Sequence, residues 1–162
     1  MLLKGSCHCG AVRFQLRSRN FYPYQLCYCS ICRKTQGGGG YAINLSGDAD
    51  TLKVTGRKNL KVYRAWVTNP GEKRYRSTGQ RNFCGKCGSA LWLYDPTWPE
   101  LIHPFASAID TKLPVAPEHT HLMLDFKPEW VEVNFQRGDK RFKHYPKESI
   151  AEWHERLGVV GR

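Results

Sequence analysis

Seven cysteines fall into three clusters: Cys7-His8-Cys9, Cys27-Tyr28-Cys29-Ser30-Ile31-Cys32 and Cys84-Gly85-Lys86-Cys87. Thiolates two or three residues apart can converge on one ion from a single tight turn, whereas a disulfide within C-x-C or C-x-x-C is strained or serves redox chemistry. The odd total and the N-terminus Met1-Leu2-Leu3-Lys4-Gly5, too short for a secretory signal, speak against a secreted disulfide framework. A closed structural zinc site takes four ligands, and a catalytic one takes three and keeps a position open. Four and three account for every cysteine. The cluster that holds three by itself is Cys27, Cys29 and Cys32, so the economical assignment pairs Cys7 and Cys9 with Cys84 and Cys87 as the closed site. An ion there clips the N-terminal strand to a distant hairpin.

Other readings stand beside this one. Cys84 and Cys87 form a C-x-x-C that would suit a redox pair, but no βαβ pattern surrounds them. Cys27, Cys29 and Cys32 could close a second structural site by recruiting His8, another histidine or an acidic side chain. His8 reads as a bystander between two ligands. The histidines at 103, 119, 121, 144 and 154 lack metal-ligand spacing, and a strand through His119-Thr120-His121 puts both rings on one face.

Several elements must position these clusters. Ala11 to Leu16 alternates apolar and polar as a half-buried strand does, and further strands are expected at Tyr41 to Leu45, Leu52 to Val54, Leu60 to Trp66, Ala90 to Tyr94, Phe105 to Ile109, Leu122 to Phe126 and Trp130 to Phe135. Ser46-Gly47-Asp48, Asn69-Pro70-Gly71, Asp95-Pro96 and Arg137-Gly138-Asp139 read as turns. Many short strands between turns predict a mainly β domain of sandwich or barrel type. Helices are expected at Ser30 to Thr35, carrying the last thiolate of the middle cluster, and at Pro146 to Leu157, with Ile150, Trp153 and Leu157 on one face and Gly158 beyond its end. Gly37-Gly38-Gly39-Gly40 is either a flexible turn or a hinge beside the ion; without G-K-[ST] it is no phosphate loop.

At 162 residues and 18.6 kDa, with 41% hydrophobic residues, the chain suits a single domain over 1–162, of which 146–162 would be a helical extension. No apolar run approaches the ~20 residues of a membrane span, and the expected location is the cytoplasm, where thiols stay reduced. The formal charge is +11; seven thiolates holding two Zn²⁺ would bring it nearer +8. Arg33 and Lys34 follow the middle cluster directly, and Arg81 and Lys86 lie beside Cys84 and Cys87. Cations there stabilise thiolates and attract an anionic substrate. Most of the basic residues are solvated surface, but Arg57 to Arg76, with Tyr63, Arg64, Trp66, Lys73, Arg74 and Tyr75, has the basic and aromatic mixture that binds nucleic acid.

Gly5-Ser6-Cys7-His8-Cys9-Gly10-Ala11-Val12-Arg13-Phe14, Cys29-Ser30-Ile31-Cys32-Arg33-Lys34 and Phe83-Cys84-Gly85-Lys86-Cys87-Gly88-Ser89, with weaker echoes at Ala108-Ile109-Asp110 and Lys127 to Val131, closely resemble the glutathione-dependent formaldehyde-activating enzyme family, which includes centromere protein V. The resemblance implies an Mss4-like fold of packed antiparallel sheets with zinc-binding knuckles and a C-terminal helix. It implies two zinc ions, structural on Cys7, Cys9, Cys84 and Cys87 and catalytic on Cys27, Cys29 and Cys32, in agreement with the partition by counting. It also implies a carbon–sulfur lyase or synthase that condenses glutathione with formaldehyde or a related small aldehyde. By their charge, Arg33 and Lys34 are candidate contacts for the glutathione carboxylates, since an arginine can bind a carboxylate bidentately. The family often has Cys-His-Cys where this chain has Cys27-Tyr28-Cys29, and the segment from Val67 to Arg81 is longer than usual. The alternatives are a non-catalytic zinc-stabilised module that binds nucleic acid or another polyanion, and a glutathione carrier.

Overall fold

A computed structural model of the chain describes residues 1–36, 38–68 and 71–161. Gly37 of the glycine run and Asn69 and Pro70 of an expected turn lie outside the described residues. The strands arrange in three sheets. In the first, β1 (Leu2–Ser6) and β2 (Arg13–Arg17) pair antiparallel, and β6 (Lys53–Thr55) adds to β2. Leu3, Phe14 and Leu16 are buried while Leu2, Lys4, Arg13 and Arg17 face water, the two-residue period of a sheet with one solvated face.

The second sheet has the order β5 (Gly47–Asp48), β10 (Leu101–Pro104), β9 (Ala90–Tyr94), β8 (Tyr75–Cys84) and β7 (Leu60–Val67). It meets the first sheet over a core of Leu3, Val12, Phe14, Leu16, Leu91, Trp92 and Ile102, in which Phe14 meets Trp92 edge to face at 5.1 Å. Each such buried aliphatic side chain contributes on the order of 1.5–3 kcal/mol through removal from water. Cys7 and Cys84 belong to this same core.

The third sheet, in the order β12 (Lys140–Arg141), β11 (Thr120–Leu122), β3 (Gln25–Cys27) and β4 (Ala42–Ile43), carries the middle cysteine cluster. Its β3–β4 pairing is antiparallel, but β11 pairs parallel with both β3 and β12. Helix α1 (Ser30–Gln36) follows β3 directly, and α2 (Ile150–Arg156) closes the chain. Ser149 caps α2 by accepting from the Glu152 amide while Glu152 accepts from the Ser149 amide, so the helix starts at Ile150 rather than at Pro146. Trp153, wholly buried, stacks on Tyr24 at 3.8 Å.

Four expectations fail for identifiable reasons. Phe105 to Ile109 is not a strand: the strand is Leu101–Pro104, and Ala106–Ala108 coils into a 3-10 turn. β11 covers Thr120–Leu122 instead of Leu122 to Phe126, because Met123 at φ 62° breaks the extended run before a 3-10 turn at Leu124–Phe126. Trp130 to Phe135 pairs with no strand, and its alternating Val131 and Val133 pack on the Leu26 and Tyr28 cluster from a loop. Gly47–Asp48, expected as a turn, pairs with β10. Conversely, β8 is the longest described strand, yet its polar sequence Tyr75-Arg76-Ser77-Thr78-Gly79-Gln80-Arg81 hid it.

Candidate metal centres

Two tight hairpin knuckles build the first centre. β1 ends at Ser6, and the Gly10 amide donates to the Cys7 carbonyl at 2.9 Å; β8 ends at Cys84, and the Gly88 amide donates to the Cys84 carbonyl at 2.8 Å. Gly10 at φ 70° and Gly88 at φ 75° close the two knuckles in the left-handed region that favours glycine. The four Sγ atoms of Cys7, Cys9, Cys84 and Cys87 then lie within 4.8 Å of one another, with Cys7 to Cys9 at 3.6 Å and Cys9 to Cys84 at 3.8 Å. A tetrahedral ion with Zn–S bonds of about 2.3 Å sets its sulfurs about 3.8 Å apart, so the donor set fits zinc. The Val12 amide donates to Cys7 Sγ at 3.2 Å, and hydrogen bonds from the Ser89 hydroxyl and amide draw the Cys87 thiol down to about 5. Such donors stabilise thiolate charge. His8 stays out of the cluster: its amide donates to Ser89 Oγ, and the residue is exposed.

One continuous segment builds the second centre. Cys27 ends β3, Cys29 precedes α1 and Cys32 lies in its first turn, where the Cys32 amide donates to Cys29 Sγ at 3.3 Å and the Arg33 amide to the Cys29 carbonyl at 3.1 Å. All three sulfurs lie within 4.8 Å of one another, and among the described residues no histidine, carboxylate or further cysteine joins the group. The Cys27 and Cys32 thiols hydrogen bond to Cys29 and draw it down to about 2, with help from the Cys32 and Ile31 amides. The same bonds and burial push Cys27 up. For Cys32, a bond from Cys27 favours the thiolate, but the Cys29 charge and burial outweigh it and hold the thiol at about 11. These bonds favour the thiolate at Cys29 over its two neighbours. A divalent ion can take the other two sulfurs as thiolates, and three soft donors with room for a fourth ligand suit an open zinc site.

Cations surround this centre differently from the sequence expectation. Arg33 is half-buried on α1 and Lys34 is exposed. Arg81, which the sequence places beside Cys84, instead acts on the charge of Cys32 across the space between β8 and α1. The Nε atoms of Arg33 and Arg81 and the Nε2 of Gln36 are all buried without a hydrogen-bond partner. Arg81 also lines a cavity of about 280 Å³ with Thr35, Tyr63, Asn82, Phe83 and Phe105. A larger cavity of about 470 Å³ lies against Cys7, His8, Ser89 and Asp110, on the four-thiol side. Tyr145, unmarked in the sequence, is 72% exposed as a residue, while desolvation of its hydroxyl and the charge of Cys27, Cys29 and Cys32 push it up to about 12, with Arg81 opposing. Tyr28, by contrast, is buried, with the residue 2% exposed. No local pattern marks Arg81 or Tyr145, because only β8 pairing and the 142–145 segment, held by Met123, Leu124 and Asp125, bring them here.

The family model described as glutathione-dependent formaldehyde-activating enzyme matches residues 2–124. The chain belongs to this family. A Halomonas elongata protein named "Putative glutathione-dependent formaldehyde-activating enzyme" is 60% identical over 159 residues, 98% of each chain. A Rhodobacter sphaeroides protein of known crystal structure is 28% identical and superposes with a TM-score of 0.52 over 68% of this chain and 91% of its own. The mainly β architecture with cysteine knuckles is thus the family's, as expected from the three motifs. No described helix is long and apolar enough to cross a membrane.

Proposed function

We propose that this member of the glutathione-dependent formaldehyde-activating enzyme family is a zinc-dependent carbon–sulfur lyase or synthase that reversibly joins glutathione to formaldehyde or a related small aldehyde. The observation that carries the reading is the incomplete donor set: Cys27, Cys29 and Cys32 converge without a fourth protein ligand among the described residues, near Arg81, whose Nε is buried without a hydrogen-bond partner. Zinc bound there would lower the pKa of a substrate thiol and keep it as a nucleophilic thiolate. Cys7, Cys9, Cys84 and Cys87 would hold a second, structural zinc. Arg81 and Arg33, with Lys34 at the rim, are assigned to the carboxylates of the tripeptide, since a guanidinium can bind a carboxylate through two parallel hydrogen bonds. Tyr145 keeps its proton at neutral pH and is assigned to donate from Oη to the aldehyde oxygen as the carbon–sulfur bond forms and the carbonyl π pair moves onto oxygen. The net change transfers the thiol proton to that oxygen, and the reverse sequence cleaves the adduct. Residues 1–162 are read as one domain of a cytoplasmic protein, a location that keeps the thiols reduced.

Calorimetric titration of glutathione into zinc-replete protein tests the reading. Binding that disappears in Cys29→Ser, with acceleration of adduct formation above the uncatalysed rate, is the expected result. Binding without acceleration would make the protein a carrier. A second reading is favoured by the β7–β8 hairpin, where Tyr63, Trp66 and Tyr75 are exposed and Arg74 lies 4.6 Å over the Trp66 ring. Nucleic-acid binding there would fall steeply with salt and ignore Cys29→Ser.

A further inference from the structure

Tyr28 sits between two cysteines of the three-thiol centre, and its amide and hydroxyl both bond to β11. Its amide donates to the Leu122 carbonyl at 3.1 Å, and its hydroxyl lies 3.0 Å from His121 Nδ1. His121 Nε2 in turn lies 3.2 Å from Asp139 Oδ2. The Asp139 side chain is 1% exposed and also accepts from the His119 amide at 2.8 Å and the Gln136 amide at 2.9 Å. Those amide bonds hold its carboxyl below the usual carboxylate range despite burial, and desolvation keeps His121 neutral. The direction of each bond follows. A carboxylate only accepts, so Nε2 carries the proton of the neutral ring, Nδ1 is left as an acceptor, and the Tyr28 hydroxyl must donate to it. Phe135 packs edge to face on His121 at 4.9 Å with Arg141 over its ring, Val131 packs with Tyr28, and Tyr28, His121 and the Asp139 side chain are all buried, so the chain of bonds is shielded from water.

We propose that Asp139, His121 and Tyr28 are positioning residues that preset the Cys27-Tyr28-Cys29 knuckle, and so raise the affinity of the three-thiol centre for its ion without touching the four-thiol centre. The proposal rests on the zinc reading above. Residues 28 and 29 belong to neither β3 nor α1, so their geometry depends on what anchors Tyr28. Anchoring both its main chain and its hydroxyl to β11 leaves fewer knuckle conformations to lose when an ion binds. Asp139 lies beyond residues 2–124 matched by the family model, so this chain of bonds is not part of what that match describes.

The test uses the full chain with Zn²⁺ competed away by a chromophoric chelator, and with Co²⁺ in its place to read the visible spectrum of each centre. Tyr28→Phe, which keeps the ring and its packing, should weaken the three-thiol centre about tenfold, within the range for removal of an outer partner of a metal ligand, and should broaden its cobalt bands. Asp139→Asn should do the same, and the double variant should be no weaker than either single one, because both break one chain of bonds. The four-thiol centre should be unchanged in all three. Unaltered affinity and spectrum in Tyr28→Phe, equal weakening of both centres, or additive effects in the double variant would overturn the proposal. A wild-type chain that binds one ion only would overturn the zinc reading itself, and the relay with it.

Discussion

The two thiol centres solve opposite problems. The four-thiol centre draws two knuckles from positions 7–9 and 84–87, and two of its cysteines, Cys7 and Cys84, are part of the main core. The three-thiol centre comes from a single stretch of six residues and has its own small apolar surround of Ala42, Leu122, Ile31, Met123 and Phe142. Distance along the chain makes an ion a clip, whereas proximity makes it a tenant. On the proposed reading, folding would depend on the first ion and chemistry on the second, even though the second set of sulfurs is the more buried.

The largest expected effect breaks the clip. Cys84→Ser should cost much of the ~10–16 kcal/mol that a structural zinc contributes, and thermal unfolding should show loss of the cooperative transition. Cys29→Ser should instead retain a cooperative transition and drop metal content from two ions to one per chain, read by elemental analysis. Equal unfolding in both variants would erase the distinction. Next comes pH. Cys29 is ionised above about 2, while Cys27 is pushed up and Cys32 sits at about 11, so near neutrality two protons must leave when a divalent ion enters the three-thiol centre. Affinity should rise with pH, by about 100-fold per unit, in chelator competition between pH 6 and 8. A smaller effect separates the cations: Arg81→Ala should raise KM for glutathione about tenfold, the worth of one charge-assisted contact, and leave a thiol without carboxylates unaffected. The smallest concerns neither centre. Ser149→Ala removes the cap of α2 and should cost about 1 kcal/mol in chemical denaturation with both metals retained.

The grouping of the cysteines into a four and a three was legible in residue type and spacing. Cys27, Cys29 and Cys32 form a local unit, and only the count of seven was needed to pair Cys7 and Cys9 with Cys84 and Cys87. A strand with one solvated face, such as Arg13–Arg17, was legible through its alternation. β8 was not, since its residues from Tyr75 to Arg81 are polar on both faces until Asn82 and Phe83 enter the sheet interior. Arg81 was therefore assigned to its neighbour in sequence, Cys84, although side chains on a strand point to alternate faces and this one acts on Cys32. Asp139 and His121 were hidden for a related reason. A hydrogen bond across 18 residues, between a turn and a short parallel strand, leaves no periodic trace.

Parallel pairing of β3 with β11 also sets a timetable. Strands β1 to β10 and all seven cysteines precede residue 105, so a chain leaving the ribosome exposes every thiol before Thr120–Leu122 arrives to lie beside Cys27. Folding from the N-terminus during synthesis would close the clip early. The wall of the reactive centre is finished only when the last quarter of the chain has emerged, so a nascent chain carries three neighbouring thiols that are not yet enclosed.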